Sequence, residues 1–324
     1  MPRKRPAPPV EGALLINKPR GKTSHDVVDA VRRILGFREI GHIGTLDPLA
    51  TGVLALLLGR ATRLARFYAG RRKRYDCALR FGFATDTYDA DGQPDGPDSA
   101  PLLALEEAQA LAAQFVGRFS QMPPPYSAKK IHGRPAHELA RKKKPVELKP
   151  VEVEVYEFRI TGVEGSLVHC VIECAAGTYI RSLAHEMGIR QGSGAHLSEI
   201  VRTAVGEFTL DQTVTLEELQ QAALAGRLSE MVIPLERLLS DLPRVTVLPI
   251  IERRVRHGAR FNIQVSQVQP GRVTSAQGAP TQLDSGDWKP ACLRVFNHEE
   301  KLIAIAQAIV PRTYQPIVVL DPAP

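Results

Sequence analysis

Apolar residues recur along this chain at two periods, one helical and one strand-like, and the two succeed each other without a repeating unit. That irregular succession restricts the fold most: it speaks against a solenoid or propeller and for an α+β arrangement. Ala13-Leu14-Leu15-Ile16 reads as a buried strand. Val27, Val28, Val31, Ile34 and Leu35 then follow at helical spacing, with Ser24 or Thr23 as cap and Gly36 as stop. Tyr75 to Phe83 alternates as a strand, and Leu105 to Val116 suits a helix. Val151, Val153 and Val155 alternate with glutamates, and Leu167 to Cys174 gives a second strand, so a hairpin across Gly162 to Gly165 is expected. Ile180, Leu183, Ala184 and Met187 form a helical stripe ending near Gly188, with Arg181 off the stripe. Thr215 to Leu228 reads as a helix. Beyond Leu242 the pattern changes to short strands around Val245, Leu293 and Ala304. The expected division is a basic tail over 1–10, a main domain over 11–242 and a smaller β-rich domain over 243–324.

The 324 residues are 44% hydrophobic and 24% charged, the balance of a soluble globular protein. The longest apolar run, Val53 to Leu58, falls far short of the ~20 residues that cross a bilayer. No basic-then-apolar segment opens the chain, so a cytoplasmic protein away from membranes is expected. The 4 cysteines show no Cys-x-x-Cys spacing and read as buried small side chains; no metal is expected. Residues 1–75 carry 16 Lys/Arg against 5 Asp/Glu, whereas 76–120 carry 2 against 8. Arg3-Lys4-Arg5, Arg71-Arg72-Lys73-Arg74 and Arg141-Lys142-Lys143-Lys144 are separate basic clusters. Such clusters suit a polyanion, because neutralising phosphates releases condensed counterions. Charge alone leaves tRNA, rRNA, DNA and an anionic membrane open.

Between Glu39 and Gly52 the period disappears, and three glycines, a proline and two threonines describe an ordered loop. Asp47 lies there before Pro48. An isolated Asp-Pro is usually a turn former. Beside Gly41, His42, Gly44, Gly52 and the apolar run that follows, it lies where backbone can approach a ligand next to a rigid element, and turn and site are then equally good readings. Gly41-His42-Ile43-Gly44 also fits a short nucleotide-clamping pattern, a weak signal. No phosphate loop, dinucleotide fingerprint, zinc-protease motif or nucleophile elbow is present.

The string Gly41-His42-Ile43-Gly44-Thr45-Leu46-Asp47-Pro48-Leu49-Ala50-Thr51-Gly52 resembles the catalytic motif of bacterial tRNA pseudouridine-55 synthases. Asn17-Lys18-Pro19, Lys73-Arg74-Tyr75, Asp86-Thr87 with Asp89-Ala90-Asp91-Gly92, Gly177-Thr178-Tyr179-Ile180-Arg181, and Gly194-Ala195-His196 with Arg202-Thr203 resemble further motifs of that family, in family order. The likeness runs from about Gly12 to about Phe208.

It implies a mixed, mainly antiparallel sheet with flanking helices, a thumb-like insertion near 126–149, and a PUA-like C-terminal RNA-binding domain. It also implies isomerisation of a flipped-out uridine in the tRNA T-arm without a cofactor, by a monomer with no obligatory protein partner. Asp47 takes the carboxylate role at the ribose, either as direct nucleophile or through a glycal-type intermediate. Arg181 pairs with Asp47, although alone it reads as a surface arginine. Tyr75 stacks on the base and assists at carbon 5; without the motif it reads as a core aromatic. Tyr179 and Ile200 line the uracil pocket, Ile200 standing where the family commonly has leucine. His42 holds the RNA loop, and Lys18 serves phosphate binding or packing. Lys129, Lys130 and Arg141 to Lys144 are implied RNA-backbone contacts on the thumb. Two other classes remain in view, a non-catalytic RNA-folding factor and an enzyme of the same fold working in a guide-RNA particle.

Overall fold

The run Val53 to Leu58 is apolar throughout because both of its faces are covered. In the computed structural model, which describes residues 10–99, 101–125, 130–131, 134–135, 149–272 and 291–322, it lies in the strand Thr51–Leu58. Val53, Ala55 and Leu57 enter one hydrophobic cluster, and Leu54, Leu56 and Leu58 the other. A strand buried on both faces needs no polar alternation.

Thr51–Leu58 belongs to a 10-stranded sheet. Gly12–Lys18 pairs with it antiparallel and is itself edged by Val232–Pro234. On the other side the long strand Ala195–Val205 runs parallel to it through Val201 and Arg202, then pairs antiparallel with Lys73–Phe81. The sheet continues antiparallel through Leu167–Cys174, Val151–Glu164 and Gly117–Gln121. The sheet is thus mixed and mainly antiparallel. Helices Ser24–Leu35, Leu105–Ala113, Ile180–Gln191 and Leu216–Leu224 bring Val27, Val31, Leu111, Leu183, Met187 and Leu219 onto one face.

A 6-stranded sheet begins at Arg244. Its Phe296, Leu302, Ile305 and Val318 pack with Leu15, Leu57, Tyr68 and Phe208 across the other face of the main sheet. The contact is fastened by arginine side chains that donate to backbone carbonyls. Arg63 donates to the Val319 carbonyl at 2.7 Å and Arg66 to that of Ile317 at 2.7 Å. Buried Arg294 donates to the carbonyls of Leu242, Glu236 and Leu238.

Several elements differ from the sequence reading. Of the two expected caps of the first helix, Thr23 is the one used, in a capping box with Asp26. The expected loop from Glu39 contains the strand Ile40–Ile43, zipped onto Thr51–Leu58. The helix starting at Ile180 runs past Gly188 to Gln191 and stops at Gly192, whose φ is 94°. Gly188 instead allows close packing, since a Cβ there would stand 2.0 Å from the Ala195 nitrogen. The second sheet carries an unanticipated helix, Pro249–Arg256. The expected tail lies outside the described residues up to position 9, as does most of the thumb region.

Candidate active site

The loop carrying Asp47 bridges Ile40–Ile43 and Thr51–Leu58, and it is held from below by buried polar side chains. Ser24, released from capping, has its hydroxyl 2.8 Å from the Leu46 nitrogen, which donates to it, and 3.1 Å from the Leu46 carbonyl, to which it donates. Fully buried Lys18 donates through Nζ to the carbonyls of Ala50 at 2.6 Å, Pro19 at 3.1 Å and Pro48 at 3.2 Å. All three ammonium hydrogens are therefore engaged with backbone. Of the two roles open to Lys18, phosphate binding or packing, the structure displays the second. Burial lowers its pKa from 10.5 to about 8, against the opposing pull of Asp47.

Arg202 is the third anchor, likewise fully buried. Its Nε donates to the Val53 carbonyl at 2.8 Å, and its Nη2 and Nη1 to the carbonyls of Gly44 at 3.0 Å and Thr45 at 3.3 Å. Its strand lies between those of Gly52 and Tyr75, and it stands in register with both. Gly52, with φ 94°, lies so close that a Cβ would come within 2.3 Å of the Arg202 carbonyl oxygen. The Arg202 guanidinium also acts electrostatically on the Tyr75 phenol. The Tyr75 phenol is nonetheless pushed well above its ordinary pKa by burial, with Arg202 opposing only in part. Tyr75 is thus a neutral phenol near neutral pH and a weak acid.

Asp47 rises from this platform with its side chain 47% exposed, while that of Arg181 is 6% exposed. Arg181 Nε lies 2.9 Å from Asp47 Oδ2. Arg181 is on the first turn of the Ile180–Gln191 helix, off the apolar stripe as expected. It is buried rather than surface-lying because the acidic segment after Thr85 folds over it. Its Nη1 donates to the Thr87 carbonyl at 2.9 Å and lies 3.5 Å from Asp89 Oδ2. Although that segment is acidic and contains glycine, Asp89 is buried. Its carboxylate accepts from the Thr87 hydroxyl at 2.6 Å and the Asp91 nitrogen at 3.2 Å. Burial raises the Asp89 pKa despite those bonds and Arg181.

Asp47, Arg181, Tyr75, Tyr179 and Ile200 line one cavity of about 370 Å³, together with Lys73. Tyr179 is fixed at the helix start by buried Gln121, whose amide accepts from the Tyr179 nitrogen at 2.9 Å and donates to its carbonyl at 3.0 Å. Lys18 and His42 are not among the lining residues. His42 sits on the short strand Ile40–Ile43, half-buried, its pKa lowered by desolvation and by the charge of Arg202. The Arg71 to Arg74 cluster is not a free basic surface. Arg71 pairs with Asp241, Arg72 with Glu173, and Arg74 with Glu157 and Glu173, while Lys73 faces the cavity. Lys129 and Arg141 to Lys144 lie outside the described residues, and Lys130 is described only by its place in the short pair Lys130–Ile131 with Arg134–Pro135.

Among the described residues, no group of three or more His, Cys, Asp or Glu is placed to hold a metal ion. No described helix is long and apolar enough to cross a membrane. An ion-paired carboxylate beside a base-sized cavity with aromatic walls is suited to chemistry at a sugar whose base occupies that cavity. Asp89, Arg202 and Lys73 belong to this constellation and were not singled out by the sequence reading. Their residues lay inside motifs it quoted, but their partners are distant in sequence.

Comparison with known proteins agrees with this geometry. The chain matches two family models in succession, the TruB family pseudouridylate synthase N-terminal domain over residues 32–180 and the tRNA pseudouridylate synthase B C-terminal domain over residues 181–240. It is 41% identical over 311 residues to tRNA pseudouridine synthase B of Solibacter usitatus, covering 96% of this chain and 100% of that one. It is 35% identical to tRNA pseudouridine synthase B of Thermotoga maritima, over 92% of this chain and 90% of the relative. Among solved structures, it superposes on a Cbf5-Nop10-Gar1 complex with TM-score 0.70 and 25% identity, covering 96% of this chain and 85% of that one. An H/ACA ribonucleoprotein bound to a substrate RNA shares the fold, with TM-score 0.69, 23% identity and the same coverages, 96% and 85%. The chain belongs to the TruB family of pseudouridine synthases.

Proposed function

We propose that this protein converts the uridine at position 55 of the tRNA T-loop to pseudouridine, acting alone and without a cofactor. The observation that carries this reading is the Asp47–Arg181 ion pair at a cavity walled by Tyr75, Tyr179 and Ile200. A uridine inside a folded loop must leave its stack to meet a carboxylate, and a cavity with aromatic walls offers replacement stacking. Asp47 acts at the ribose, and Arg181 holds it aimed. Tyr75 and Tyr179 hold the base, Ile200 closes the pocket, and His42 grips the loop from which the base was extruded. The break and the new carbon–carbon bond involve the same two fragments, so no redox partner or group donor is required. Residues 11–242 form the catalytic unit in this reading, and residues 243–324 a PUA-like domain that adds RNA surface.

The experiment is to incubate the purified protein with unmodified tRNA and map pseudouridine at single-nucleotide resolution. Modification confined to position 55 supports the proposal. No modification without an added guide RNA would overturn it.

A further inference from the structure

When the C1′–N1 bond of uridine opens heterolytically, its electron pair leaves on the base. The detached uracil is then an anion delocalised over N1, O2 and O4. Rejoining forms the C5–C1′ bond, after which C5 loses its proton and N1 regains one, so atoms and charge balance. A cavity that hosts this sequence gains most from fixed positive charge facing the base rather than the sugar.

Among the described residues, two cationic side chains line the cavity, Arg181 and Lys73. Arg181 is committed to Asp47, Asp89 and the Thr87 carbonyl. Lys73 stands two residues before Tyr75 on the strand Lys73–Phe81, hence on the same face. Its neighbours Arg72 and Arg74 turn away to pair with Glu173 and Glu157. Lys73 is half-buried and lies against the catalytic loop, where a Cβ on Gly44 would stand 3.2 Å from its Cε and 3.5 Å from its Nζ. The Arg202 guanidinium is a charged neighbour of its ammonium. The cavity lining therefore holds a carboxylate, Asp47, and an ammonium, Lys73, that shares a strand face with Tyr75. Burial and Arg202 lower the proton affinity of Lys73, a cost that an arriving anion offsets.

We propose that Lys73 is a further catalytic residue, whose ammonium stabilises the detached uracil anion. It transfers no proton and stays charged throughout. This inference rests on the isomerisation proposed above.

The test compares tRNA carrying uridine or 5-fluorouridine at the target position, in single-turnover reactions with saturating enzyme, following loss of the original N1-linked nucleoside. Fluorine withdraws electrons, makes the base a better leaving group and lessens its need for a cation. Lys73→Met is expected to slow uridine loss by about 100-fold, comparable to removing one oxyanion-stabilising donor, with little change in tRNA affinity. The loss on 5-fluorouridine should be about tenfold or less, and Lys73→Arg should recover most of the rate on uridine. Rate constants at saturating enzyme do not depend on the folded fraction, so partial misfolding leaves the comparison intact. An equal loss on both substrates, or a loss under about threefold on uridine, would overturn the role of Lys73. Wild-type enzyme that leaves uridine untouched would instead refute the isomerisation itself.

Discussion

Arg181 Nε stands 2.9 Å from the Asp47 carboxylate, joining a nearly enclosed guanidinium to a carboxylate that faces solvent. The enclosed partner is the one further braced, by the Thr87 carbonyl and by Asp89. The pair is therefore aimed from the protein side and open toward the substrate.

Arg181→Lys keeps the charge but cannot reach Asp47, Asp89 and the Thr87 carbonyl together, because an ammonium lacks the planar fork. Turnover on tRNA should fall by about 100-fold or more while the Kd for tRNA changes little. Normal turnover in this variant would reject the aiming role.

Lys18 makes stability depend on pH. Its pKa is about 8 in the folded protein against an ordinary 10.5, so above pH 8 the unfolded chain binds more protons than the folded one. The native state should therefore gain stability as pH rises from 8 to 10.5, with a limit of roughly 3 kcal/mol. Below pH 8 both states are protonated and the contribution is flat. Lys18→Met should abolish this gain, which denaturant titrations of both proteins across that window would reveal. Parallel stability profiles for the two proteins would contradict it.

Gly52→Ala tests the close approach beneath the loop. Its positive φ and the 2.3 Å contact of a Cβ with the Arg202 carbonyl oxygen make any side chain costly. The variant should lose at least about 2 kcal/mol of unfolding free energy, whereas Gly165→Ala, with positive φ but open space around it, should lose less. Equal losses would show that backbone strain alone matters there.

Local signals were legible in the sequence wherever cause and effect are near each other along the chain. The apolar spacing and Gly36 mark the first helix, and alternation marks Val151–Glu164. The family motifs pointed to the pairing of Asp47 with Arg181. What sequence could not reveal depends on partners far apart in the chain. Arg202 looks like a surface residue until the strand crossing places Gly44, Val53 and Tyr75 around it. Arg71 and Arg74 read as RNA-binding until Asp241 and Glu157 fold onto them. Asp89 sits in an acidic, glycine-containing stretch that looks solvated, and Arg181 draws it inward. Gly188 resembles a helix stop because only tertiary packing distinguishes a glycine that ends a helix from one that admits a neighbour.

In the proposed reaction the Asp47 carboxylate acts at the ribose. Asp47→Asn preserves size and leaves the supports from Ser24, Lys18 and Arg202 in place, since those bond the loop backbone. Pseudouridine formation at position 55 should be measured under single-turnover conditions with tRNA binding monitored in parallel. Binding close to wild type and a rate at least about 10⁴-fold lower are expected. Substantial pseudouridine formed by the Asp47→Asn protein would contradict that role of the carboxylate.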